Sequence, residues 1–423
     1  MGLQQVAALL KGGTGQRVLM VAVVILSACL VGLYAIYLNR AEITPAPAKS
    51  EPPDGHAHAG AVANQQKGDT ARLAKFEPPD GSVYAGVVAN QKKGDTVKES
   101  KRKWREWTAL MDGRSPAISH TYEGFDTWFD YDFSIAEARG ATPLITWQTD
   151  TTSPKTIAYA GKTSEGTSTD EVILRNAAYL SARYSKPVFL RVDQEMNAYW
   201  FPWCAYNKDG SRRSSSAKDF RKMWQRMVII FRGGKVADIN RQLDNVGLPP
   251  LDPGVRWPGW MHLPPTSDPD SYFKPAKNVA FVFNPMDAPG VPNVVGNRWE
   301  DYYPGDAYVD WVGQTTYDET WNATIEQRFG WLNSFYEQYS VERVKPYMIG
   351  EWGVAPEAES GLGDDPAYVR RMLDWQRSHP NVKALIYFSA LSDQGDFRLS
   401  SYPDSSQVLA TAVSQPRFLR ELH

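Results

Sequence analysis

Cysteine is scarce in this chain, and its two copies, Cys29 and Cys204, exclude a disulfide framework. The lack of a CxxC pair and of a Cys/His cluster argues against a structural zinc site as well. Strong charge of either sign is also missing. The 46 Lys and Arg nearly balance the 48 Asp and Glu, and a formal net charge of -2 gives no electrostatic reason for a nucleic-acid partner. No Gly-rich phosphate loop follows the first strand-like run, which argues against an open, doubly wound nucleotide-binding sheet.

What the sequence has in excess is aromatic: 15 Trp, 21 Tyr and 16 Phe. Such rings fill cores, and they also offer flat apolar faces on which a sugar ring stacks. The longest apolar run, 18–38, is uncharged over 21 residues, enough for a helix to cross a bilayer. Lys11 and Arg17 precede it, so residues 1–17 are expected in the cytoplasm and the remainder outside, with the run as a single-pass anchor. A lipoprotein, with Cys29 lipidated after Leu26-Ser27-Ala28, and a cleaved secretory signal are the alternatives.

Residues 39–75, rich in Ala, Pro, Gly and Lys, read as a flexible linker. The linker carries EPPDGHAHAGAVANQQKGDT at 51–70, which returns as EPPDGSVYAGVVANQKKGDT at 77–96. Two copies are too few for a solenoid. His56 and His58 of the first copy are read as part of the tether, not as metal ligands.

From residue 76 to 423, short β-branched or aromatic runs alternate with amphipathic segments, the rhythm of βα units. Strands are predicted at 83–88, 116–122, 142–147, 187–192, 278–283, 309–315, 345–350 and 382–388, with helices including 170–184, 217–232 and 366–379. Eight strands with crossovers predict an α/β fold of the (β/α)8, or TIM, barrel class. The long Pro-rich stretch 245–275, with His262, Trp257 and Trp260, is expected to form a wall of the cleft.

Such barrels build their sites at the C-terminal ends of the strands. Glu195 follows strand four and Glu351 follows strand seven, on opposite sides of the ring. Glycoside hydrolysis needs two carboxyls, one protonated to donate to the leaving oxygen and one ionised. These two Glu residues are therefore the expected catalytic pair. His120 is a candidate for substrate contact, and Trp352, beside Glu351, is another.

The segment from Arg191-Val192-Asp193-Gln194-Glu195-Met196-Asn197 through Trp203 resembles the acid/base segment of glycoside hydrolase family 26. Tyr303-Pro304-Gly305-Asp306 through Gly313 resembles that family's approach to strand six, and Met348-Ile349-Gly350-Glu351-Trp352-Gly353 its nucleophile segment. The similarity spans about residues 77 to 420. It implies a β-mannanase-like, retaining double displacement with Glu195 as acid/base and Glu351 as nucleophile. It further implies that Tyr317 hydrogen-bonds the nucleophile, that Trp200 and Trp203 line the acceptor side, and that Trp147 or Phe388 forms the floor. Gln194 stands where the family usually has His, at a position expected near the sugar 2-hydroxyl. That replacement leaves the two carboxylates in place and puts mannan specificity in doubt.

The expected protein is thus a tethered monomer acting on a polysaccharide, without metal or cofactor. A transglycosylase or exopolysaccharide-tailoring enzyme sharing the covalent intermediate, and a catalytically silent glycan-binding protein, are the alternatives.

Overall fold

The computed structural model describes residues 75–89, 95–257 and 261–422. The apolar run 18–38 and the first repeat copy lie outside the described residues. Among the described residues no helix is long and apolar enough to cross a membrane.

Eight parallel strands close into a barrel: β1 (Val83–Ala89), β2 (Ile118–Gly124), β3 (Thr142–Gln148), β4 (Val188–Val192), β5 (Val279–Phe283), β6 (Trp311–Tyr317), β7 (Tyr347–Gly353) and β8 (Val382–Ser389). Each pairs with the next in chain order, and β8 returns to β1 through Tyr84↔Ala384 to Ala89↔Ser389. After the strands come α1 (Val97–Leu110), α2 (Asp130–Arg139), α3 (Thr169–Ala182), α4 (Ala217–Arg232), the single turn α5 (Trp299–Tyr302), α6 (Ile325–Phe335), α7 (Pro366–Ser378) and α8 (Pro403–Val413). The (β/α)8 expectation is met.

The expected strands and the observed ones differ at both ends, and β2, β6 and β7 begin two residues later than expected, at Ile118, Trp311 and Tyr347. β2, β6 and β7 run two or three residues further than the apolar pattern indicates, through Glu123, Thr316-Tyr317 and Glu351-Trp352-Gly353. Apolar patterning ends where the site begins, because mouth-facing positions carry polar groups while the backbone ladder continues.

Strand alternation sorts side chains into two sets. Tyr84, Ile118, Leu144, Phe189, Ala280, Trp311, Met348 and Ala384 point inward, and all are buried in one cluster that plugs the barrel. Phe76, Leu419 and Leu422 pack against this plug. Outward positions meet the helices. In α4, Phe220, Met223, Trp224, Met227, Ile230 and Phe231 form the buried stripe, and a Ser216/Asp219 capping box starts the helix.

The stretch 245–275 does not form a wall of the mouth in its described part. Buried Arg226 of α4 pairs with Asp170 of α3 at 2.5 Å and donates to the Pro249 and Pro250 carbonyls. Asp170 also accepts from the Asp252 amide at 2.8 Å. A buried guanidinium needs these acceptors, and they hold the loop on the α3–α4 face instead. His262 is exposed there, and Trp260 lies outside the described residues.

Candidate active site

Above the apolar plug, the inward positions turn polar: His120 and Tyr122 on β2, Thr146 on β3, Arg191 on β4, and Thr315 and Tyr317 on β6. Arg191 is fully buried, so all its donors require partners. Its Nε donates to Thr146 Oγ1 at 2.6 Å, Nη1 to the Gly350 carbonyl at 3.3 Å, and Nη2 to Glu351 Oε2 at 2.8 Å. Nη2 also lies 3.2 Å from His120 Nε2. A guanidinium cannot accept, so His120 accepts through Nε2 and is neutral. Burial, and then the charge of Arg191, push its pKa well below the usual value. His120 thus sits beneath the mouth, under the Tyr122 ring at 4.6 Å, and not on the surface.

Glu351 reaches this network through an irregularity in β7. Between Ile349 and Glu351, β7 advances two residues while β6 advances one, from Gln314 to Thr315. The extra residue turns both Gly350 and Glu351 inward and sends Trp352 outward. Gly350 leaves room for the buried Asn284 amide, since a Cβ there would run into Asn284 Oδ1. Beyond Arg191, Glu351 accepts from Tyr122 Oη at 2.6 Å and from Tyr317 Oη at 2.8 Å. One carboxyl with a guanidinium and two hydroxyl donors is a seat built for an anion.

Glu195 stands in a different environment. After Val192 the chain leaves the extended form, with Asp193 at φ +45° and Glu195 at φ +52°. Left-handed conformations at non-Gly residues cost roughly 1 kcal/mol or more each and need outside support. The Glu195 amide donates to the Asn284 carbonyl at 2.8 Å, and the Asp193 carboxyl accepts from Thr149 N and Oγ1 at 2.7 and 2.6 Å. Trp203 Nε1 donates to the Gln194 carbonyl at 2.8 Å. Glu195 Oε2 accepts from Trp200 Nε1 at 2.9 Å. Burial, and then the nearby Glu351, push the Glu195 carboxyl up to about 8, against smaller lowering contributions from Trp200, Arg191 and Thr315. Burial alone dominates at Asp193, likewise raised to about 8.

The structure therefore brings Glu195, Glu351, Tyr317 and Trp200 to one mouth. Phe388 joins them, half-buried, with its ring 6.3 Å from Tyr317. Three expected sugar contacts fall elsewhere. Trp147 is buried behind the barrel against Phe125, Phe129 and Phe231. Trp352 is buried against Tyr368 and Tyr387 in the helix layer. Trp203 is buried in a stack on Phe201 at 4.5 Å, where it braces the Glu195 turn. For Trp147 strand parity decides the direction and for Trp352 the irregularity in β7, and neither is visible in a run of apolar letters. Gln194 is buried too, with its Oε1 lacking a protein partner.

Tyr122, Arg191 and Asn284 hold the two carboxyl residues although sequence reading gave them no role. Parity with His120 on β2 signals Tyr122, and a charged residue inside an otherwise apolar β4 signals Arg191. Asn284 is signalled by its place as the polar residue that directly follows β5.

No family model matches the chain. Endoglucanase H of Acetivibrio thermocellus is 24% identical over 313 residues, which is 72% of this chain and 28% of that protein. The chain thus spans under a third of the length of the curated relative it matches. Among solved structures, it is similar to a modular endo-β-1,4-mannanase of glycoside hydrolase family 26 from Cellulomonas fimi, with a TM-score of 0.49 and 15% identity, covering 81% of this chain and 73% of that one. The catalytic domain of the family 26 endo-β-1,4-mannanase from Bacillus sp. JAMB-750 gives a TM-score of 0.48 and 13% identity over 80% of this chain and 87% of that one.

Proposed function

We propose that the protein is a retaining, endo-acting β-glycoside hydrolase of the β-mannanase-like kind. Glu195 is its general acid/base and Glu351 its nucleophile. The observation that carries the reading is the opposite environment of two carboxyls at one mouth. Glu351 is held by a buried guanidinium and two tyrosine hydroxyls, whereas Glu195 is pushed up to about 8 by burial and by its neighbour. Carboxyls whose environments diverge in this way divide into acid and anion.

In the first step Glu351 attacks the anomeric carbon while Glu195 protonates the departing glycosidic oxygen. A glycosyl ester forms on Glu351 and the C–O bond to the leaving chain breaks. Glu195, now ionised, takes a proton from water as that water displaces Glu351. Arg191, Tyr122 and Tyr317 orient the nucleophile and receive its charge when it is released. The substrate is an extracytoplasmic polysaccharide, and the apolar run 18–38 tethers the enzyme beside it, N-terminus in.

The test is hydrolysis of β-mannan, glucomannan, mixed-linkage glucan and xylan by the full chain, alongside Glu195→Ala and Glu351→Ala. Sugar release from one polymer, reduced about a thousandfold or more in both variants, is expected. Undiminished release by either variant overturns the assignment.

A further inference from the structure

Trp321, on the segment after β6, is 43% exposed, an unusual placement for the largest apolar side chain. Its chain neighbours are nonetheless held on both sides. Buried Arg328 of α6 donates Nε to the Glu319 carbonyl at 2.7 Å and Nη2 to Asn322 Oδ1 at 2.7 Å. The same guanidinium is anchored on Asp287 at 3.0 and 2.9 Å. Thr320 adds two bonds to the Ser360 carbonyl, from its amide at 2.9 Å and its hydroxyl at 3.1 Å. An exposed indole held on a rigid clip is prepared for a ligand, since little side-chain or loop freedom remains to be lost on binding.

The ring lies 5.9 Å from that of Trp200, at 72° to it, and Trp200 is itself 36% exposed. Trp200 in turn bonds Glu195. Outward from the acid there are therefore two open indoles at nearly a right angle, borne by the loops after β4 and β6. We propose that Trp321 is a sugar-binding residue on the leaving-group side, stacking on a pyranose of the departing chain beyond the one that meets Trp200. This rests on the assignment of Glu195 as the acid, because the acid marks the side on which the leaving chain sits. The ligand class is a neutral β-linked polysaccharide.

The experiment compares the full chain with its Trp321→Ala and Trp321→Phe variants. Binding is read by mobility in native gels containing galactomannan, glucomannan or mixed-linkage β-glucan, with Glu351→Ala in every chain so that the polymer stays intact. The pH profile of hydrolysis is read with Glu351 present. About tenfold weaker binding in Trp321→Ala, largely restored in Trp321→Phe, with the alkaline limb of hydrolysis unmoved, supports the proposal. Unchanged binding in Trp321→Ala overturns it. Weaker binding together with a shifted alkaline limb also overturns it, because Trp321 would then only prop Trp200 against Glu195. A chain that binds a polymer without cutting it sinks the hydrolase assignment, while the gel still judges Trp321. A chain that neither binds nor cuts any polymer overturns both.

Discussion

Arg191 of β4 reaches across the barrel interior to Glu351 of β7 and donates to its Oε2 at 2.8 Å, with the arginine fully buried. Breaking a buried pair on one side leaves a charge without its partner and costs about 3–5 kcal/mol. Arg191→Met is expected to lose about that much stability in denaturant unfolding, and most of its activity. Arg191→Lys should recover only part, since an ammonium cannot serve Thr146, Gly350, His120 and Glu351 together.

Tyr122 and Tyr317 each donate to a different oxygen of Glu351, at 2.6 and 2.8 Å. Hydrogen bonds to charged groups contribute about 1.5–3 kcal/mol, so each Tyr→Phe change should lower kcat roughly ten- to a hundredfold. Because both act on the nucleophile and not on the leaving chain, KM should move little. A rise in KM with unchanged kcat would place them in ground-state binding instead.

Gly350 is the position where one methyl group should do the most harm. A Cβ there runs into Asn284 Oδ1, so Gly350→Ala forces the buried Asn284 side chain off its bond to Thr315 Oγ1, or moves the backbone that carries it. A loss of several kcal/mol in stability is expected, of the size of severe overpacking, about 3 kcal/mol. Adding Asn284→Ala opens the space, and the double variant should be more stable than Gly350→Ala alone. Strict additivity of the two changes would show that they do not compete for space.

The pH dependence follows from Glu195. Its acid role requires the protonated form, so kcat/KM should fall as pH rises through about 8. The Trp200 N–H favours the ionised carboxylate and so lowers this pKa. Trp200→Phe removes that bond, and the alkaline limb should move to higher pH. For stability the sign is opposite to that of an ion-paired acid. Between the ordinary Glu range and about 8, the folded chain holds a proton that the unfolded chain has lost, so stability falls as pH rises. Glu195→Gln should be more stable than the parent, with a margin that widens across that window.

The barrel was legible because its strands are mostly apolar runs punctuated by helices, and Glu195 and Glu351 were legible because both stand where such a run ends. Direction was not. Trp147 and Trp352 sit within one residue of mouth positions, and a single step of parity or one extra residue in β7 turns each toward the helices. Arg191 lies inside β4, where hydrophobic patterning registers only an interruption. Its meaning appears when Glu351, 160 residues away in sequence, is seen beside it. The stretch 245–275 failed for a related reason: its length suggested a cleft wall, but the buried charge of Arg226 decides where it lies.

The central claim is a covalent intermediate on Glu351. The most direct test is a 2-deoxy-2-fluoro glycosyl fluoride of the sugar released from the polymer that the full chain cleaves, followed by proteolysis and mass spectrometry. The account predicts time-dependent inactivation, one equivalent of label on Glu351, and slow recovery as water releases it. Label on another residue, or full activity with no label while the polymer is still cleaved, would contradict it.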